Sequence, residues 1–264
     1  AQKESASILR YFEKICSIPH GSGNMKALRD HCVQFAKENG LQVVSDEAEN
    51  VVIYKPGTKG YENAEPIILQ GHLDMVCQKE ETSSIDFTKD GIEAYIDGDF
   101  IKAKGTTLGA DNGIAVSMIM AILASRDLPH PPIEAVFTTD EEIGMIGAQK
   151  LDVSILKSKK MINLDAEEAD ILTVSCAGGS DFRLLFPIDK TVVHGTKISL
   201  EILGLKGGHS GGDIDKGRIN ANILAGRILH YAKKTAAFHI VNINGGTKGN
   251  AIPFCCKAEL EAED

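Results

Sequence analysis

The sequence predicts an α/β protein with a mostly parallel central sheet flanked by helices, followed by the start of a smaller α+β domain. Three observations carry this. Short continuous apolar runs at Pro66–Leu69, Ile133–Phe137 and Met161–Leu164 are separated by stretches of helical periodicity, the pattern of strands buried on both faces and joined by crossovers. Each run leads directly into acids or a histidine. After about Pro187 the rhythm changes to strand, Gly-rich loop, helix, strand and strand, so the expected domains are 1–187 and 188–264.

The elements follow in order. Ile8, Leu9, Phe12 and Ile15 recur at helical spacing within Ser5–Cys16. Leu28, Cys32, Phe35 and Ala36 do so within Asn24–Asn39, with Gly40 placed to end that helix. Leu41–Ser45 and Val51–Lys55 are β-rich, and Glu93–Ala103 carries a hairpin signal at Asp97-Gly98; these predict sheet edges or excursions. A helix over Ile114–Leu123 places Asp111 just before its N-terminus. In the second domain, strands are expected at Lys197–Leu203, Ala237–Ile243 and Pro253–Glu261, with a Gly-rich loop over Lys206–Asp213 and a helix over Gly217–Lys234. The chain stops on an expected strand, which predicts a piece of a longer protein.

Composition excludes several classes. With 264 residues the chain accommodates one large domain or two unequal ones. No apolar run approaches the ~18 residues of a spanning helix, and the opening segment lacks a signal-peptide pattern, so neither a membrane nor targeting is expected. Against 37 acidic side chains there are 28 basic ones, giving a net charge of −9, and the basic residues form no stripe for nucleic acid. The six cysteines lack CxxC spacing, which points to a reducing, cytoplasmic location. Few aromatics and no Trp argue against a stacking platform.

In open α/β sheets ligands bind at the carboxyl ends of strands. His72 and Asp74 are two apart and share a face, so Asp74 can accept from one imidazole nitrogen while the other binds a metal. Alone, that pair is also what a surface histidine beside a capping Asp looks like. Asp111 by itself reads equally as a helix cap. Glu141 and Glu142 usually mean a solvated face, but directly after a buried strand they must point differently, so one can bind metal while the other acts as a base. Asp165, before Glu167 and Glu168, would alone be a solvated turn. Together, one histidine and four carboxylates at sheet ends would repel one another unless cations neutralised them, and such ligands suit Zn²⁺ or Mn²⁺. His209 lies in a Gly-rich loop that is either simply flexible or able to close over a ligand. A phosphate-binding loop and a Gly-x-Gly-x-x-Gly motif after the first buried strand are both missing.

Six motifs in order, Gly-His-Leu-Asp-Met-Val, Leu-Gly-Ala-Asp-Asn-Gly-Ile, Thr-Thr-Asp-Glu-Glu-Ile-Gly, Asn-Leu-Asp-Ala-Glu-Glu, Gly-Gly-His-Ser-Gly and Gly-Gly-Thr-Lys-Gly-Asn-Ala-Ile-Pro, resemble the M20 metallopeptidases. The details are most similar to the bacterial aminoacyl-histidine dipeptidases of Xaa-His, carnosinase type. The resemblance implies a zinc-peptidase-like catalytic domain with an incomplete lid domain, and two divalent ions, zinc first with manganese or cobalt as alternatives. It implies Asp111 as the shared carboxylate, His72 and Asp165 on one metal, Glu142 on the other, Glu141 as general base and Asp74 as the residue orienting His72. It also implies a cis peptide at Asp111-Asn112, His209 near the scissile carbonyl, Asn250 at the substrate's carboxylate end, a small peptide substrate and a homodimer.

The family takes the second metal's remaining ligand from a histidine after the lid, and none of His194, His230 or His239 sits in a matching motif. Two other readings therefore stand beside a dipeptidase: an N-deacylase or aminoacylase built on the same site, and a catalytically incompetent fragment that binds metal only in part.

Overall fold

The computed structural model describes residues 2–166, 170–175, 178, 182, 184–246, 249 and 251–262. The chain forms two compact units, Ala1–Ala177 and Gly178–Asp264, so the boundary expected after residue 187 falls inside the second of them.

The first unit opens with α1 (Gln2–Cys16) and α2 (Lys26–Glu38). The buried stripe on α2 is Leu28, Cys32, Phe35 and Ala36, at the helical period read from the sequence. Gly40 follows at φ 68°, a left-handed conformation that costs glycine nothing because it lacks a Cβ. Then come β1 (Gln42–Ser45), β2 (Val51–Lys55), β3 (Ile67–His72), the ribbon β4 (Ala94–Asp97) and β5 (Phe100–Ala103), α3 (Ala110–Ala124), β6 (Ile133–Thr138), α4 (Ile146–Lys150) and β7 (Met161–Asn163).

Five of these strands make one sheet in the order β1-β2-β6-β3-β7. β3 runs parallel to both β6 and β7, whereas β1–β2 and β2–β6 are antiparallel. The α/β fold is as expected, but the sheet is mixed rather than mostly parallel. The short connection 46–50 can only return the chain antiparallel, because a parallel crossover needs about a dozen residues or more. The β-rich stretch 41–55 therefore extends the sheet at one edge, while β4 and β5 form the separate excursion.

Side chains alternate across the sheet. Val51, Ile53, Leu69, Ala135 and Phe137 pack with Ile15, Leu28, Phe35, Val116, Ile119 and Met120 on one face. Val52, Ile68 and Val136 face the other way, against Leu151, Ile155 and Leu156. This two-residue period fixes register, since a one-residue slip would expose every core side chain. Glu134 interrupts the apolar run of β6 yet is 3% exposed. Its carboxylate accepts the backbone N–H groups of Lys157 (2.9 and 3.1 Å) and Ser158 (3.0 Å), fastening to the sheet the segment that leads into β7.

In the second unit β8 (Thr196–Ile202), β10 (Phe238–Gly245) and β12 (Cys256–Ala262) form an antiparallel sheet in the order β10-β12-β8. β9 (Gly208–His209) pairs with β11 (Ala251–Ile252), so part of the Gly-rich loop is a short strand. The helix α5 (Ala221–Ala232) packs through Ala221, Ala225 and Leu229 against Ile202, Phe238, Cys256, Ala258 and Leu260. It starts later than the expected Gly217 because Asn220 caps it, its side-chain oxygen accepting from the N–H groups of Asn222 and Ile223. Among the described residues no helix is long and apolar enough to cross a membrane.

Candidate metal centre

Parallel pairing places the carboxyl ends of β3, β6 and β7 side by side, and each delivers part of the site. His72 is the last residue of β3 and is 1% exposed. Glu141 and Glu142 follow β6, and Asp165 follows β7. Asp111 enters from the start of α3, where it and Asn112 have non-helical dihedrals and the helix proper begins after them. The Asp111-Asn112 peptide is cis.

The His72 ring is held at both nitrogens. Nδ1 lies 2.9 Å from the Asp74 backbone carbonyl and 3.4 Å from its Oδ1. Nε2 lies 3.0 Å from Asp111 Oδ1 and 3.8 Å from Asp165 Oδ2. One ligand atom each from His72, Asp111 and Asp165 lies within 4.8 Å of the others, and the same holds for His72, Glu141 and Glu142. Residues distant in sequence are thus brought together around one imidazole.

Burial pushes the Glu141, Glu142 and Asp165 carboxyls up, and the neighbouring acids push them further, partly offset by His72. For His72, burial alone would push the pKa down. The hydrogen bond and charge of Asp74, with the charges of Asp165 and Asp111, outweigh it and raise the ring to about 9. Acids that raise one another around a histidine with a preset donor side are what a divalent cation resolves, and the nitrogen and carboxylate donors match zinc or manganese. A cation must displace the Nε2 proton. Metal affinity is therefore expected to climb as pH rises toward 9, with proton release near neutrality, measurable by titration calorimetry in buffers of different ionisation enthalpy. The sign for the metal-free protein is opposite: its folded-state pKa is raised, so the stability His72 contributes is full below about 6.5 and is lost as pH passes through about 9.

Sequence reasoning passed over three supporting residues. Asn112 donates through Nδ2 to Asp165 Oδ1 (2.9 Å) and to the Leu164 carbonyl (3.2 Å), and its Oδ1 accepts the His72 N–H (3.3 Å). Its position beside Asp111 was the available signal. Gly71 makes room for it, since a Cβ there would sit 2.5 Å from Asn112 Oδ1 and 3.3 Å from the Ala115 Cβ. Gly71→Ala is expected to destabilise by ~1–3 kcal/mol and to weaken metal binding by displacing Asn112, readable as a lower Tm with a lower metal content. Ser22 donates to Asp74 Oδ2 at 2.8 Å across 52 residues of sequence, and no local pattern announces that.

His209 belongs to the second unit, where its Nδ1 accepts the N–H groups of Gly211 and Gly212, both at 3.1 Å. That leaves Nε2 as the protonated, donating nitrogen. Asn250 lies outside the described residues. Beside Asp111 and Glu142 is a cleft of about 280 Å³ lined by Met75, Val76, Thr107, Leu108, Gly109 and Ala110.

Residues 68–174 match the profile of peptidase family M20/M25/M40, and residues 200–263 that of a peptidase dimerisation domain. The chain is 46% identical over 244 residues to the cytosol non-specific dipeptidase of Escherichia coli (strain K12), covering 92% of this chain and 50% of the relative. The fold superimposes on aminoacylhistidine dipeptidase from Vibrio alginolyticus with a TM-score of 0.68 and 40% identity, over 97% of this chain and 53% of that one. A tripeptidase from Staphylococcus aureus, at 20% identity and a TM-score of 0.54 over 98% of this chain and 66% of that one, shares the fold. The chain spans about half the length of the dipeptidases it matches. With one profile lying over each unit and the acids converging where the first runs, the chain carries domains of the M20 peptidase family.

Proposed function

We propose that this chain carries the metal-binding part of a metallodipeptidase that hydrolyses dipeptides, Xaa-His dipeptides among them, at a two-metal site. The single observation that carries the reading is the convergence of His72, Asp111 and Asp165 with Glu141 and Glu142 at the ends of three strands. His72, Asp111 and Asp165 would hold one cation, and Asp111 and Glu142 the other. When bound, the cations supply Lewis acidity that polarises the peptide carbonyl and makes water acidic enough to attack near neutral pH.

The rest is done by side chains of this chain. Asp74 holds His72 with its donor nitrogen turned away from the metal. Glu141 takes the proton of the attacking water and passes it to the leaving amine, a role its raised pKa suits. His209, donating from Nε2, would stabilise the charge growing on the carbonyl oxygen, and Asn250 would hold the substrate's carboxylate. The small cleft beside Asp111 has room for one amino-acid side chain. Zinc as the native metal, a homodimer through the second unit and a cytoplasmic location complete the proposal.

The test is elemental analysis of the purified protein together with hydrolysis of carnosine and Gly-Leu after zinc or manganese is added. Two bound metals with dipeptide turnover support the reading. Turnover of acyl-amino acids without dipeptides would replace it with a deacylase, and one weak metal without turnover would assign these residues an incomplete site.

A further inference from the structure

We propose that Ser22, on the loop between α1 and α2, is a positioning residue that sets the metal centre through Asp74; the inference rests on the metal-dependent reading above. The Asp74 side chain is 0% exposed, and a buried carboxylate persists only when its oxygens are paired and hydrogen-bonded. Oδ1 accepts the Glu141 N–H at 2.9 Å and faces His72 Nδ1 at 3.4 Å. Oδ2 accepts the Glu142 N–H at 3.1 Å and the Ser22 hydroxyl at 2.8 Å. One carboxylate therefore ties together the ring of His72 and the backbone of both glutamates. Ser22 supplies the side-chain donor that holds Oδ2 in place from outside this group.

The loop is fastened along the chain leaving β3. Met75 N–H donates to the His20 carbonyl (3.2 Å), and Ser22 N–H to the Met75 carbonyl (3.4 Å). One residue on, Gly23 N–H donates to Asp140 Oδ1 at 2.7 Å, and Asp140 is the left-handed residue (φ 52°) from which the chain turns into Glu141. The same short loop thus grips both arms of the site, at Asp74 and at the turn ahead of the glutamates. Without the hydroxyl, Oδ2 keeps only the longer Glu142 bond. The carboxylate is then held only by the backbone N–H groups of Glu141 and Glu142, so Oδ1 is fixed less firmly against His72 Nδ1 and the ring's orientation toward the metal loosens.

The experiment compares Ser22→Ala and Ser22→Thr with the parent protein. Zinc affinity is measured by chelator competition, and the His72 Nδ1–H resonance is followed by NMR in the metal-free protein. Ser22→Ala is expected to weaken zinc binding about 10–100-fold and to move the resonance, while Ser22→Thr, which keeps the hydroxyl, restores both. A Ser22→Ala protein with parental zinc affinity and an unmoved resonance overturns the proposal. So does an equal loss in both variants, because packing rather than the hydroxyl would then be responsible. If the parent protein binds no zinc, the metal-dependent reading falls, and the resonance alone decides whether Ser22 sets Asp74 and His72.

Discussion

Glu141→Gln is expected to lower kcat by about 10²–10⁴-fold while the protein keeps its metal. The substitution preserves shape and the backbone N–H that donates to Asp74 Oδ1, so the frame around His72 survives. It removes the one property the proposed role needs, a carboxylate that can take and release a proton. Burial first, and then the charges of Asp165, Asp74 and Asp111 working against His72, raise the Glu141 carboxyl toward the range where a base works near neutral pH. Steady-state kinetics beside elemental analysis checks both halves of the expectation. Loss of metal along with activity would make Glu141 a ligand and exchange its role with that of Glu142.

Asp111→Asn is expected to have the larger effect on metal content. Asp111 is the carboxylate proposed to be shared by both ions, and its Oδ1 already lies 3.0 Å from His72 Nε2. An amide offers one neutral oxygen in place of two charged ones. Affinity should therefore fall by more than the about 10–100-fold typical of losing an outer hydrogen-bond partner, with turnover lost alongside. The cost to the metal-free fold should be small, because the Asp111 side chain is 72% exposed and the interaction lost is its contact with His72. Metal titration with thermal melting of the metal-free protein separates the two. A variant that retains two tightly bound ions would show that Asp111 is not shared.

Much of the site is legible in the sequence alone. Apolar runs without alternation mark β3 and β6 as buried strands, and the carboxyl ends of such strands are where ligands collect; β7, read from the same kind of run, is instead an exposed edge strand, because only β3 pairs with it. Residues His72, Glu141, Glu142 and Asp165 stand out because they follow those runs directly, and Asp111 because it precedes an apolar helix. The course of α2 and its end at Gly40 are legible for a similar reason: periodicity and a C-terminal glycine are local, and local preferences act through neighbours in sequence.

The sheet order is not legible in this way. The apolar run of β6 is compatible with either neighbour, and it lies between β2 and β3 in a sheet one face of which is covered by α1, α2 and α3. Nor are the roles of Ser22, Gly71 and Asn112. Ser22 meets Asp74 across 52 residues, and the hydrogen bond exists only because the α1–α2 loop passes beside the chain leaving β3.

The sequence by itself determined the long helices, the buried strands β3 and β6 and the side chains available for metal chemistry, since periodicity, turn residues and motif chemistry are written along the chain. Only the tertiary structure decided which oxygen faces which nitrogen and which donors hold Asp74 in place. Hydrogen bonds act over about 3 Å, and the residues that come that close are chosen by packing rather than by position in the sequence.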